Sequence, residues 1–136
     1  MLFGRTIEVL GKTLDALSLR QEIIANNIAN VNTPGYRRKE VTFEEELKEA
    51  LSEKPRKLKG FITNPRHIPI PQPEITLEKV KPEVWERSDL YFRNDKNGVD
   101  IDLELAELAK NAMKQAAVSR VLSRRFAILG IVMGRR

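Results

Sequence analysis

Cysteine is absent from this chain, which excludes a disulfide framework, a thiolate metal site and a cysteine nucleophile together. Histidine is nearly absent: the single His67 lies in Asn64-Pro65-Arg66-His67-Ile68-Pro69 with no carboxylate pair beside it, so no convergent metal or acid–base cluster is expected. No GxGxxG, P-loop, GxSxG or HExxH spacing occurs, which removes the usual nucleotide, hydrolase and zinc-protease signatures. No catalytic residue, cofactor or metal ligand is therefore assigned, and no small-molecule substrate is expected. Long apolar runs are missing too. The longest, Phe126 to Met133, falls far short of the roughly 20 residues that span a bilayer. The start, Met1-Leu2-Phe3-Gly4-Arg5, lacks a basic segment followed by an apolar run and a small-residue cleavage site, so no Sec-type leader is expected.

What the 136 residues do contain is helical periodicity at both ends. Phe3, Ile7, Leu10, Leu14, Leu17, Gln21, Ile24, Ile28 and Val31 alternate in steps of four and three, a heptad seam with Gln21 as its one polar member. As a helix this segment is about 44 Å long. The last third repeats the pattern at Ile101, Leu105, Leu108, Ala112, Gln115, Ser119, Leu122, Phe126, Leu129 and Met133. Asn97-Gly98 is a turn pair before it, and Asp100 or Asp102 is positioned to cap its first NH groups. An antiparallel pairing with residue 31 near 102 and residue 3 near 130 puts Gln21 beside Ala112 and Gln115, a polar layer suited to setting register. Leu2, Val9, Ala16, Leu19 and Ile23 form a second apolar stripe, and residues 126 to 133 are apolar on all sides. One partner helix cannot bury all of that, so other subunits are expected to.

The net charge of +5 is uneven. Residues 101 to 136 carry seven basic against three acidic groups, with acids at the start and arginines at the end, as a helix dipole favours. Arg37-Arg38-Lys39 and the group Lys54, Arg56, Lys57 and Lys59 are the candidate phosphate contacts of a nucleic-acid binder. Glutamates interleave with the first cluster and aromatics alternate with neither, so a solvated face is the stronger reading. A membrane-surface helix at residues 126 to 133 is the other alternative to burial between subunits.

Between the arms, Thr42 and Glu45 form a capping box for a short helix to about Leu51, with Phe43, Leu47 and Leu51 on one face. Six of the seven prolines follow between Pro55 and Pro82. Gly60-Phe61-Ile62, Ile75-Thr76-Leu77 and Leu90-Tyr91-Phe92 are candidate edge strands. The expected fold class is mainly α. Long N- and C-terminal helices pair antiparallel as a coiled-coil-like hairpin, as arms 1–33 and 101–136, around a proline-rich irregular or small β middle at 34–100.

Four asparagines fall between Asn26 and Asn32, at a helix-propensity cost of roughly 2 kcal/mol. One reading is a helix C-terminus whose amides satisfy the last carbonyls, a role that suits Asn32. The stronger one is an amide strip of Asn26, Asn27 and Asn30 aimed at another helix. Pro34-Gly35 suits the centre of a type II turn, which ends the helix near Val31 or Asn32.

The run Asn26, Asn27, Asn30, Asn32, Thr33, Pro34, Gly35 and Tyr36 resembles the asparagine-rich motif ending in Asn-Thr-Pro-Gly-Tyr of bacterial flagellar axial proteins. Leu14 to Asn30, Asn64 to Ile68, Val99-Asp100-Ile101-Asp102 and Glu107-Leu108-Ala109-Lys110-Asn111 narrow the resemblance to the basal-body rod family and its proximal members. It is weakest from Lys48 to Lys59, and the tail from Gly134 carries no assigned role. The resemblance implies a structural polymer subunit of the rod, stacked on itself and on other rod proteins and joined to the membrane ring through the small adapter protein FliE. It also implies periplasmic placement after export by the flagellar type III apparatus, with Phe3 and Ile7 matching the spacing of an early export signal. The arms are then expected to be poorly ordered before they pack against neighbours.

Overall fold

The computed structural model describes residues 2–52, 77–87 and 98–134. Helix α1 (Leu2–Ala29) is followed by strand β1 (Lys39–Thr42), helix α2 (Glu44–Leu51), a 3-10 turn at Leu77–Lys79, strand β2 (Glu83–Glu86) and helix α3 (Ile101–Val132). The chain is mainly α, with long terminal helices packed on each other and one small antiparallel sheet among the described residues. It divides into two compact units, Met1–Thr42 with Lys81–Arg136, and Phe43–Val80.

Helix α1 ends where its own side chains and Pro34 stop it. The Asn30 amide donates to the Asn26 carbonyl at 2.8 Å, and the Asn30 NH is shared between the carbonyls of Asn26 and Asn27. The regular helix therefore closes at Ala29, slightly before the expected Val31 or Asn32. Proline then biases Thr33 out of the helical region. The Tyr36 NH bonds the Thr33 carbonyl at 3.2 Å and Gly35 takes φ 73, which together form the expected type II turn. Helix α3 starts on Asp100, whose side chain accepts from the Asp102 NH at 3.0 Å. It ends at Gly134, where φ 72 and a bond from the Gly134 NH to Ile131 turn the chain out of the helix.

The two helices run antiparallel, as expected: Asn27 reaches Glu104, Asn111 reaches the Leu17 carbonyl, and Gln115 reaches Ser18. The face that α3 turns inward differs from the expected one by a rotation of one residue at alternate positions. Glu104, Glu107, Leu108, Asn111, Gln115, Val118, Leu122, Arg125, Leu129 and Gly130 are its buried or half-buried positions, whereas Ile101, Leu105, Ala112, Ser119, Phe126 and Met133 are exposed. Gln21 is exposed as well and forms no layer with Ala112. The reason is chemical. Glu104 and Asn111 have specific hydrogen-bond partners on the inner side, and leaving those partners unmet costs more than exposing a leucine. The apolar core of this unit is correspondingly small, with Ala16, Leu17, Ile24, Val41 and Val99 buried.

Strands β1 and β2 pair with Lys39 opposite Glu86 and Val41 opposite Val84. Neither was among the expected strands. Of those, residues 60–62, 75–76 and 90–92 lie outside the described residues, and Leu77 begins the 3-10 turn. In the smaller unit α2 forms over its expected length, but without the capping box: Thr42 is held in β1, and Phe43 is the N-cap with no side-chain bond. Glu44, Glu45 and Glu46 in the first turn supply the favourable charge instead. Among the described residues of this unit Phe43 and Val80 are the buried side chains, and α2 packs on the 3-10 turn.

Two glycines give opposite expectations. Gly35 holds φ 73, so Gly35→Ala is expected to lower stability by about 1–2 kcal/mol. Gly11, inside α1, meets no atom within 4 Å of where a Cβ would stand, so Gly11→Ala is expected to stabilise the lone chain by about 1 kcal/mol. Urea titration of both variants at one protein concentration checks this, and shifts of the same sign would contradict it.

Candidate functional site

The asparagine motif folds into a polar clasp. Antiparallel pairing alternates the direction of main-chain groups along β1. Since the Arg87 NH bonds the Arg38 carbonyl, the main chain of Lys39 and Val41 faces away from β2. Side chains of α1 fill that outer edge. The Asn27 amide donates to the Lys39 carbonyl at 2.9 Å, and the Lys39 NH donates to Asn27 Oδ1 at 3.1 Å. Arg20 donates to the Val41 carbonyl at 3.0 Å. A carboxamide thus stands in for the peptide group of a third strand, and the edge of β1 is closed.

Asn27 is fully buried, at 0% exposure, and uses its whole bonding capacity. Its second NH donates to Glu104 Oε2 at 3.2 Å, and the Tyr36 hydroxyl donates to Oδ1 at 3.3 Å. Aspartate cannot donate, and glutamine is one methylene too long for this position. Glu104, also at 0% exposure, accepts from Arg38 Nε, while Arg38 Nη1 donates to Glu40. Arg87 lies 3.4 Å from the same Glu40 carboxylate. The turn at Pro34-Gly35 delivers Tyr36, whose carbonyl accepts from the Gly98 NH at 3.2 Å just before α3. Burial raises the Tyr36 phenol above its ordinary 10.0, with Lys39 opposing and Glu86 and Glu104 adding.

This arrangement corrects the amide-strip reading. Asn27 turns inward to β1 and α3. Asn30 serves its own helix end, its Oδ1 accepting from Thr33 at 3.2 Å, so the carbonyl-satisfying role expected of Asn32 belongs to Asn30. Only Asn26 and Asn32 of the four are exposed, as are Thr33, Pro34 and Gly35. Arg38, one of the candidate phosphate contacts, is buried against Glu104 and so is withdrawn from any basic surface. Glu104 and Asn111 are site residues that periodicity does not single out, although each precedes an apolar or small heptad position. Asn111 donates to the Leu17 carbonyl at 3.0 Å, and its Oδ1 is buried with no donor among the described residues.

The expected seam residues of α1 mostly face inward. Leu17 and Ile24 are buried, Ile7, Leu10, Leu14 and Ile28 are half-buried, and the Phe3 side chain lies outside the described residues. On α3, Leu108, Leu122 and Leu129 are half-buried, while Leu105, Ala112 and Phe126 are left on the outside, Phe126 at 53% exposure. Ile131, Val132 and Met133 are more exposed still. Among the described residues no group of acids or histidines is placed to hold a metal ion, and no helix is long and apolar enough to cross a membrane. His67 lies outside the described residues. The clasp is a closed network, and its chemistry is that of fastening one segment to another.

Residues 7–37 match the model of a family described as flagella basal body rod protein. That segment contains Asn27, the turn and Tyr36, and stops just before Arg38. The flagellar basal body rod protein FlgB of Borrelia hermsii is 35% identical over 133 residues, covering 97% of this chain and 98% of the relative. FlgB of Borreliella burgdorferi is 33% identical, with 96% and 97% covered. FlgB of Bacillus subtilis is 30% identical, with 97% and 95% covered.

Asn27→Ala is expected to cost about 3 kcal/mol, since it strands the Lys39 main chain and a Glu104 oxygen in a buried site. Tyr36→Phe is expected to cost about 1 kcal/mol, because Asn27 Oδ1 keeps the Lys39 NH. The raised phenol has a further consequence. The unfolded chain loses this proton first as pH rises past 10.0, so the Tyr36 contribution is complete below that pH and lost above it. Denaturation midpoints from pH 7 to 11 test both, with the Tyr36→Phe variant expected to decline less steeply at the alkaline end.

Proposed function

The chain belongs to the FlgB family of flagellar basal body rod proteins, structural subunits of the rod, and from that premise we propose that it polymerises through its terminal helices, with itself and with other rod proteins. The observation that carries this reading is the apolar surface of α3 that α1 does not cover, including Leu105, Phe126, Ile128, Ile131 and Val132. Surface of that kind calls for burial by neighbours. The inward residues Ile7, Leu10, Leu14, Leu17, Ile24, Ile28, Leu108, Leu122 and Leu129 hold the two arms together. The outward Gln21, Leu105, Ala112 and Phe126 serve contacts between subunits.

In this reading the subunit transmits torque and links the membrane ring, through the adapter FliE, to the distal rod and hook. It reaches the periplasm through the flagellar type III export apparatus, and Phe3 with Ile7 forms part of the export signal. The arms are only marginally ordered in the lone subunit, which suits threading through a narrow channel, and they complete their folding against neighbours. The small core supports this: among the described residues of the larger unit five apolar side chains are buried, for two helices of 28 and 32 residues.

Incorporation into basal bodies tests the proposal. In the native cell, Leu14→Glu or Leu122→Glu is expected to reduce incorporation of the chain by tenfold or more, on the order of the few kcal/mol that burying an unpaired charge costs, and to abolish motility. Normal rods built from either variant would contradict it.

A further inference from the structure

Gly4 and Gly11 have no packing cause among the described residues. Glycine is among the poorest helix formers, yet nothing lies within 4 Å of a Cβ built at either position. They sit seven residues apart on a side of α1 that belongs neither to the α3 contact nor to the β1 contact. That side alternates small and acidic residues, each series spaced by seven: Gly4, Gly11 and Ala25 between Glu8, Asp15 and Glu22. All are exposed except the half-buried Gly11. Ser18 completes the small series and is reached at its edge by Gln115.

Helix α3 carries the complement. About a third of a turn from its inward face, Lys110, Lys114, Ala117, Val121, Arg124 and Ile128 form a second ridge, and all six are exposed. Laid antiparallel on the outer side of an α1, this ridge matches it position by position. Ile128 falls on Gly4 and Val121 on Gly11, so large residues meet small ones. Arg124 falls on Glu8 and Lys110 on Glu22, so cations meet acids. Lys110 already holds Glu107 at 2.9 Å on the surface, which leaves Arg124 with Glu8 as the more telling pair.

We propose that the small-and-acidic face of α1 seats the basic ridge of α3 from a second copy of this chain. The proposal rests on the rod-subunit reading and adds to it the two faces that join neighbours. Its register is that of the internal pairing. Within the chain Gln115 meets Ser18, and between copies Lys114 falls on Ser18, so the second copy lies level with the first, displaced sideways. The two faces differ, so the contact is heterologous: every copy offers both halves, and the row continues into a ring or a helix of subunits. The glycines let the incoming ridge approach closely.

The chain has no cysteine, so introduced ones report alone. The full-length chain carrying both Gly11→Cys and Val121→Cys, oxidised in cells that are assembling flagella, is expected to give a ladder of covalent oligomers. Each single variant is expected to stay monomeric, and a mixture of the two singles to give dimers only. Without cysteines, Glu8→Arg or Arg124→Glu alone is expected to weaken self-association of the purified chain about tenfold or more in sedimentation, and the two together to restore it. A missing ladder and unaffected sedimentation, in a chain that still enters basal bodies, overturn this interface and leave the rod reading standing. A ladder formed by a chain that never enters basal bodies supports the interface and overturns the rod reading.

Discussion

The carboxamide of Asn27 joins α1 to β1 and to α3 at once, and the geometry of the larger unit follows from it. Its bonds to Lys39 fix the strand against the helix, its bond to Glu104 fixes the height of α3, and Tyr36 completes its capacity. The Arg38–Glu104 pair within this network is buried, and burying two charges is costly enough that such pairs add little net stability. Their effect is selective: a shifted register of α3 leaves Glu104 buried without its counter-ion, while Arg38 keeps Glu40, and that penalty on Glu104 rejects the alternatives. A chain with few buried apolar side chains depends on such selection more than a large core would.

Spending the inward face of α3 on Glu104, Asn111 and Gln115 leaves apolar and charged residues for its other faces. One of these carries Leu105, Ala112 and Phe126; another carries the ridge from Lys110 to Ile128. A lone subunit gains nothing from either. In the proposed polymer both would become interior surface, and the same rotation that satisfies the clasp would then equip the helix for neighbours. Local weakness fits this division of labour, since α1 keeps glycines that the chain itself does not need.

Much of this was legible in the residues. Heptad spacing locates both long helices, Pro34-Gly35 locates the turn, and Asp100 locates the start of α3, because each rests on local chemistry; the antiparallel sense is an expectation that the contacts between the helices bear out. The inward face of α3 was not legible. Periodicity registers greasy residues and cannot tell a stripe buried within a chain from one buried between chains, so it points Leu105 and Phe126 inward and gives Glu104 no weight. The strands were equally hidden: Lys39-Glu40-Val41-Thr42 has one buried apolar side chain, and what makes it a strand is the pairing with β2 and the amide of a helix twelve residues away. The asparagine cluster declared its importance by its helix-propensity cost, but its direction depended on contacts that only the folded chain supplies.

Helix content measured against protein concentration tests the central claim most directly, namely that the terminal helices carry more apolar surface than they can hide within one chain. Far-ultraviolet circular dichroism of the purified wild-type chain, from dilute to concentrated solution, is predicted to show helix rising together with association. Full helix in both arms at the lowest concentration, unchanged on concentrating and with no association, would contradict the account.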